Sequence, residues 1–263
     1  GAVLLAFEGL SILSLLLQKK RIPVAIWIQT VITFTAFVIL FMAPGNDVRV
    51  ASEIATWMPG YKELSVGKHL FMTIQWMLSS FANEGKAFFI AIWAAGFLLL
   101  IKSKKAKVYQ ILAIVFSVAA ILPYAGITFF SEMGIGDIDI EQCLTELPTW
   151  QSMTTQNRIA FFWWIAAVLF TLVLLWKVTG HSVFISMVFL GGIASEAVLY
   201  FSPTIYASGA RVYYLTDLMY LFIILWMVMR MDSEKKKNLF IAGAAALGVI
   251  NFLSQYSIML LKL

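Results

Sequence analysis

The chain has 263 residues, of which 61% are hydrophobic and 13% charged, and its mean hydropathy is +0.88. An average soluble domain is about 45–50% apolar and about 25% charged, so this composition excludes a disordered chain and almost any water-soluble domain. The net charge of +5 comes from 19 basic and 14 acidic residues. In so apolar a chain that excess is first a signal of membrane topology, not of nucleic-acid binding.

Eight apolar runs approach or reach the length of about 20 residues that a helix needs to cross the hydrocarbon of a bilayer. The sequence therefore predicts an all-α, polytopic transmembrane helix bundle forming a single transmembrane domain over residues 1–263. The predicted spans are approximately 1–18, 23–43, 86–101, 108–130, 159–178, 182–201, 212–231 and 239–261. Because the chain begins without Met inside an apolar run, we expect it to be the C-terminal portion of a longer protein.

The connections between these spans alternate in charge. Short links near residues 19–21, 102–107, 177 and 230–237 carry 12 of the 19 basic residues, whereas the other connections carry most of the acids. Basic links face the cytoplasm, so the loops at about 44–85, 131–158 and 202–211 are predicted to be extracytoplasmic. Functional residues concentrate on loops, and the long loops are the outer ones, so we expect the working face to be outside.

Residues 68–83 form a separate amphipathic pattern before the third span. Apolar residues such as Leu70, Ile74 and Phe81 recur at helical spacing. The residues on the opposite side are polar: Lys68, Gln75, Ser79 and Asn83. This pattern predicts a helix lying in the outer membrane interface. The alternative is that the segment extends the third span across a kink at Glu84 and Gly85.

Three acidic residues fall inside predicted spans, where ionisable groups are costly and are usually functional. They are Glu8, Glu196 and Asp217. At 1.5 Å per residue, each is expected roughly 8–10 Å below the outer surface. Structural ion pairs of Glu196 or Asp217 with Arg211 are the alternative interpretation. Glu8 has an alternative of its own, which is that it faces whatever precedes residue 1.

Two outer turns share a pattern in which proline follows a span, a glycine comes next, and an arginine enters the following segment. The first includes Asn46, Asp47 and Arg49, and the second includes Ser208 and Arg211. Arginine beside a turn with exposed backbone N–H groups is suited to holding phosphate. We therefore predict that Asn46, Arg49, Ser208 and Arg211 bind a lipid phosphate. The alternatives are ordinary helix-end turns and arginines that anchor the membrane interface.

Other candidates carry less weight. The acidic segment 136–146 is typical of a solvated loop, and Cys143, the only cysteine, forms no internal disulfide. His69 and His181 fall on opposite sides of the membrane in this topology, so we do not expect them to act together. The sequence predicts no resident metal site and no nucleic-acid partner.

The polytopic pattern, the long outer loops and the segment Ala43-Pro44-Gly45-Asn46-x-x-Arg49 resemble an uncharacterised group of bacterial membrane proteins. That group is similar to the GT-C superfamily of glycosyltransferases, which use lipid-linked sugars. The resemblance implies a multi-pass enzyme of the bacterial cytoplasmic membrane. Such an enzyme takes a polyprenyl-phosphate sugar donor on the outer face and modifies a cell-envelope glycan. Members of the superfamily usually carry their catalytic acid in the first outer loop of the full protein, which we expect to precede this chain.

On this hypothesis, membrane lipid, the lipid-linked sugar donor and the glycan acceptor are the partners. Asp217 or Glu196 would orient Arg211 or help deprotonate an acceptor hydroxyl, with Asp47 and Glu8 as further candidate acidic residues. The cofactor stays open, with a divalent cation as one option. Two other functions remain as alternatives: a transporter or flippase for a lipid-linked or anionic solute, and a non-catalytic membrane subunit.

Overall fold

The protein is all-helical, and no β-strand occurs in the part of the chain that the structure describes. The structure is a computed structural model and describes residues 2–43, 45–133, 149–180, 182–205 and 213–261. Ten α-helices lie in these ranges. They are α1 (Ala2–Leu17), α2 (Val24–Phe41), α3 (Asn46–Trp57), α4 (Val66–Asn83), α5 (Lys86–Leu100), α6 (Lys107–Ile121), α7 (Thr155–Val178), α8 (Val183–Ala197), α9 (Tyr214–Met229) and α10 (Glu234–Leu261).

Each of the eight predicted spans contains a helix, but the described helices differ in whether they can cross a membrane. Four helical stretches are long and apolar enough: Lys107–Ala125, Thr155–Val178, Val183–Phe201 and Glu234–Ser254. Val24–Ile39 and Tyr214–Met229 are shorter apolar helices. Sixteen residues of helix extend about 24 Å, less than the hydrocarbon thickness of about 30 Å. The number of spans is therefore at least four by this criterion, and eight remains a prediction.

Helices α4 and α5 form a bent pair, with an angle of 69° at the break around Glu84 and Gly85. Counted as one span, this pair raises the number of membrane-crossing stretches to five. The polar positions of α4 are divided, because Gln75 and Ser79 are buried whereas Lys68 and Asn83 are exposed. The apolar positions are divided as well, since Leu70 is exposed and Phe81 is buried. Burial and the bend therefore do not distinguish an interfacial helix from a kinked extension of the third span, and both remain predictions.

Two short segments show why one helix ends and the next begins where it does. The chain continues past α6 as a 3-10 helix, Leu122–Ala125, because Pro123 cannot continue the α-helical hydrogen bonding. The stretch therefore ends near residue 125, earlier than the predicted limit of 130. The next helix, α7, begins after Thr154, whose side chain caps the N-terminus by accepting a hydrogen bond from the backbone N–H of Asn157.

The chain divides into two compact units. Unit 1 comprises residues 1–77, 135–152 and 182–219, and unit 2 comprises residues 78–134, 153–181 and 220–263. In unit 1, α1 packs against α8 and α2. In unit 2, α5 is central and packs against α6, α7 and α10. The three acids predicted inside spans all belong to unit 1.

The core of unit 2 is aromatic. Phe89 is fully buried, and its ring lies 5.4–5.7 Å from the rings of Trp93, Trp164 and Tyr220. The indole N–H of Trp93 donates to the Thr171 hydroxyl at 2.8 Å, so this buried polar group is satisfied. On the same helix as Phe89, Gly96 is so close to α7 that an added Cβ would lie 2.7 Å from Leu174 Cδ2.

Candidate functional site

The segments predicted to form the first and third outer loops are joined by a small apolar core within unit 1. Met58 and Met72, from the first loop region, pack with Trp76 and with Ile205 from the third. The ring of Tyr213, which follows the third loop, lies 5.2 Å from the ring of Trp76. Segments about 130 residues apart in sequence are therefore held side by side. Both predicted phosphate-binding turns flank this core along the chain.

A polar aromatic cluster of Tyr61, His69 and Tyr200 lies against this core. The Tyr61 hydroxyl donates to the Tyr200 carbonyl oxygen at 3.2 Å. The His69 Nε2 lies 3.2 Å from the Tyr61 carbonyl oxygen, so this nitrogen carries the proton and Nδ1 remains an acceptor in the neutral ring. The rings of Tyr61 and His69 meet edge to face at 4.6 Å. The His69 ring also lies 5.4 Å from the Tyr200 ring, so contacts with both tyrosines fix its orientation.

The same cluster borders a small cavity that also contains hydroxyl groups. Thr73 and Ser202 line it together with the three aromatic residues. Burial raises the pKa of Tyr61 above its ordinary value, and Tyr200 raises it further. The Tyr61 hydroxyl is therefore protonated at neutral pH and available as a donor. The cluster can hold the two loops in register and present hydroxyl and imidazole groups beside them.

Arg49 lies in the first turn of α3, at the end of the predicted phosphate-binding turn. Gly45 precedes the helix with φ 94°, a left-handed conformation that glycine adopts without strain, and its carbonyl accepts from the Arg49 backbone N–H at 2.9 Å. The Arg49 side chain is 74% exposed, and its Nε donates to Glu53 at 2.9 Å. Asp47 is also exposed in this turn. Asn46 begins the helix.

The pair with Glu53 restricts Arg49 without burying it. A guanidinium carries five N–H donors, and the bond to Glu53 uses one of them. An exposed pair four residues apart on a helix contributes little to stability, about 0.3–0.5 kcal/mol. Arg49 therefore retains donors for an anionic ligand, and Glu53 limits the directions in which they point.

The second predicted phosphate-binding turn falls outside the described residues, because Ser208 and Arg211 both lie within 206–212. Whether Arg211 pairs with Glu196 or Asp217 stays a prediction for the same reason. The segments on either side of this turn, ending at Ile205 and resuming at Tyr213, belong to the core described above.

Glu196 and Asp217 occupy neighbouring positions on two helices. Glu196 is 1% exposed near the end of α8, and Asp217 is half-buried in the first turn of α9. Their preceding residues meet directly, since the hydroxyls of Ser195 and Thr216 lie 2.7 Å apart. Thr216 also donates to the Gly192 carbonyl oxygen. This hydroxyl network holds the helices that carry the two acids together.

Glu8 is buried inside unit 1, with 4% of its surface exposed. Its Oε1 accepts a hydrogen bond from the Thr33 hydroxyl of α2 at 2.8 Å. Its Oε2 has no hydrogen-bond partner among the residues that the structure describes. The side chain therefore faces α2, and its second oxygen is a buried acceptor of the kind found at functional sites.

The sequence pattern did not single out Tyr61, His69 or Tyr200. The sequence prediction treats His69 only together with His181, which lies outside the described residues. The available signal is that Tyr61 and His69 fall within the predicted outer loop 44–85 and that Tyr200 falls next to the predicted loop 202–211, but tyrosine is common near the membrane interface for reasons of anchoring alone. Among the described residues, no group of three or more His, Cys, Asp or Glu side chains is arranged to hold a metal ion.

No protein-family model matches the chain, and no curated protein and no solved structure is similar enough to count as a match. The composition, the all-helical fold and the membrane-length apolar helices define the class: this is a helical membrane protein. Any more specific function is argued from the geometry of unit 1.

Proposed function

We propose that the chain is part of a glycosyltransferase of the bacterial cytoplasmic membrane that works on the extracytoplasmic face. It takes a sugar from a polyprenyl phosphate and transfers it to a hydroxyl of a cell-envelope glycan. In this proposal the protein has eight spans, and its basic links face the cytoplasm. The resemblance of the Arg49 turn to GT-C-like proteins first suggested this function.

The observation that carries the proposal is the joining of the first and third outer loops in unit 1. Two turns with phosphate-binding composition are useful together only if the fold brings their loops to one place. The core of Met58, Met72, Trp76 and Ile205, and the hydrogen bond from Tyr61 to Tyr200, do this for the segments that flank the turns. The buried acids of the same unit add candidate proton acceptors.

In the proposed mechanism, Arg49 and Arg211 bind the lipid phosphate, assisted by Asn46 and Ser208. The bond between the sugar and the phosphate oxygen breaks, and the acceptor hydroxyl oxygen bonds to the sugar carbon. The arginine charges stabilise the phosphate as negative charge develops on it. Asp217 or Glu196 accepts the hydroxyl proton or orients Arg211. Tyr61 and His69 are positioning residues that hold the loops.

The direct test replaces Arg49 by alanine and measures sugar transfer in membrane vesicles supplied with a radiolabelled polyprenyl-phosphate hexose. Lys62→Ala is the matched control, because Lys62 is an exposed cation of the same loop. Loss of a preorganised donor to a developing charge costs about 100- to 1,000-fold in rate. We expect that loss in R49A and none in K62A, with equal amounts of folded protein.

Transfer at the normal rate in R49A would remove Arg49 from the mechanism. If the double variant R49A/R211A is active within an isolated complex, the chain is a non-catalytic subunit of that complex instead.

One observation favours a second function, a transporter or flippase for a lipid-linked or anionic solute. Transporters often contain helices broken within the membrane, and the pair α4–α5 is bent by 69° next to the buried Lys86. Proton-dependent uptake of a lipid-linked or anionic solute into liposomes containing the purified protein would support it. Uptake of the solute by these liposomes without any sugar transfer would favour the transporter over the glycosyltransferase.

A further inference from the structure

Unit 2 contains an apolar groove between α5, α6 and α10. Its volume is about 570 Å³, within the range of about 300–1,000 Å³ typical of small-molecule sites. Nearly all of its lining is aliphatic or aromatic, with Ile90, Ala94, Ile114 and Ala244 among the residues that form its walls. Ser117 and Tyr124 are among the few residues that bring polar side-chain atoms to it.

The groove lies among membrane-length helices, so its surroundings are lipid. The stretches Lys107–Ala125 and Glu234–Ser254 supply two of its walls, and both are long and apolar enough to cross a bilayer. Water has nothing to bond to in such a groove, because a buried water needs two to four polar partners. Hydrocarbon is the matching occupant.

One end of the groove is polar and cationic. Lys86 is 6% exposed and lies one helical turn before the groove residue Ile90. Its Nζ lies 4.7 Å from the ring centre of Tyr124, which lines the groove. The Tyr124 hydroxyl in turn donates to Asn251 at 2.8 Å, next to the groove residue Ile250. An ammonium, a phenol and an amide therefore lie at the same end.

The charge of Lys86 is only partly compensated. Its Nζ donates to the Asn83 carbonyl oxygen at 2.7 Å, which uses one of three N–H donors. In the part of the chain that the structure describes, no carboxylate lies within 4.0 Å of it, and the nearby Glu84 is exposed. A buried cation without a paired anion is unfavourable, so the site is complementary to a negatively charged group.

We propose that this groove binds an anionic glycerophospholipid, with one acyl chain between α5, α6 and α10 and the phosphate near Lys86. A long apolar chain ending in an anion matches the groove at both ends. Basic pockets between membrane helices bind anionic headgroups in this way. A groove of this volume holds an acyl chain, whereas a long polyprenyl chain exceeds it. The site belongs to unit 2 and is independent of the phosphate-binding role proposed for Arg49.

The test measures lipid retention by native mass spectrometry on the full chain, purified in mild detergent. The probes are phosphatidylglycerol, phosphatidylcholine with the same acyl chains, and a polyprenyl phosphate. We expect phosphatidylglycerol to be retained about fivefold more strongly than phosphatidylcholine, the attraction of about one lysine for an anionic lipid. Replacing Lys86 by glutamine removes this preference, whereas K107Q, at an exposed lysine outside the groove, keeps it.

A matched pair of alanines tests the groove itself. Ala244 lines the groove, and its neighbour Ala245 is exposed and does not. A244F fills the space of about two or three methylene groups and lowers phosphatidylglycerol retention by about 10- to 100-fold, whereas A245F leaves it unchanged. Retention that is equal in A244F and A245F overturns the proposal, as does retention of the polyprenyl phosphate alone.

A second measurement needs no substitution. Phosphatidylglycerol with a photoactivatable group in its acyl chain is cross-linked to the wild-type protein, and the modified peptides are mapped. Labels within 90–98, 113–124 or 239–250 support the site. Labels distributed over all apolar helices in proportion to their exposure show only the annular lipid and contradict it.

Discussion

The two units of this protein use their buried residues in opposite ways. Unit 1 buries Glu8 and Glu196, hydroxyl networks and the polar cluster of Tyr61, His69 and Tyr200. Unit 2 buries packed aromatic rings around Phe89 and contains a groove lined almost entirely by hydrocarbon. Buried polar groups cost free energy unless they are bonded, and they are retained where they act. Among the described residues, the buried charges of unit 1 are the carboxylates of Glu8 and Glu196, whereas the buried charge of unit 2 is the ammonium of Lys86, so the two units offer environments of opposite charge.

The comparison is most strongly tested by the variant Phe89→Ala in unit 2. Phe89 is fully buried and contacts four aromatic rings, so its removal leaves a cavity and costs about 3–5 kcal/mol of stability. We expect a large drop in Tm, measured by tryptophan fluorescence in detergent. Phe162→Ala, at a residue that is 57% exposed, is the matched control with little change. Similar Tm values for the two variants would contradict an aromatic core in unit 2.

A smaller effect is expected from Tyr61→Phe in unit 1. This variant removes only the hydroxyl that bonds to the Tyr200 carbonyl oxygen, which costs about 0.5–1.5 kcal/mol. Because that bond joins the two outer loops, we expect sugar transfer to fall more than the small change in Tm would explain. Tyr214→Phe, at an exposed tyrosine of the same unit, should change neither quantity. A Y61F protein with normal transfer would mean that the aromatic cluster is only structural.

The smallest effect on Tm is expected from Asp232→Asn, which replaces an exposed carboxylate in unit 2. Hydrogen bonds from Lys236 and Lys102 lower the pKa of Asp232 to about 2, below its ordinary 3.8. Any stabilisation from this depressed pKa is present above 3.8 and is lost as the pH falls to about 2. Because exposed ion pairs contribute little, we expect Asp232→Asn to leave Tm at pH 7 unchanged within error. A clear drop in Tm at pH 7 would show that this link is more than a solvated surface pair.

The long apolar runs predicted where helices lie, because a lipid solvent leaves few other folds. Each predicted span contains a helix, and Pro123 marks the end of one stretch. The burial of Gln75 was not predictable from periodicity, since the pattern shows that two sides of a helix differ but not which solvent or neighbour each side meets. The angle of the bend after Asn83 was not predictable either. The sequence Glu84-Gly85 permits a kink, but packing decides its angle.

The candidate site was predictable in part for the same physical reasons. An ionisable group inside a membrane span costs free energy, so the sequence alone marks Glu8 and Glu196 as unusual. Both residues are buried. The pairing of Tyr61 with Tyr200 joins residues 139 positions apart, and no local pattern encodes a contact at that distance. The groove beside Ala244 was equally hidden, because a small residue in a span predicts close packing as readily as an open space.

Gly96 has a consequence for the groove on the other side of its helix. An added Cβ would lie 2.7 Å from Leu174 Cδ2, so the glycine must face α7, as must Phe89 and Ile92 at nearly the same angle around α5. At about 100° per residue, Ile90, Ala94 and Leu98 then point roughly the opposite way, into the groove. The absence of a side chain at position 96 lets α5 pack closely against Leu174 of α7 while its groove-lining side chains face the other way.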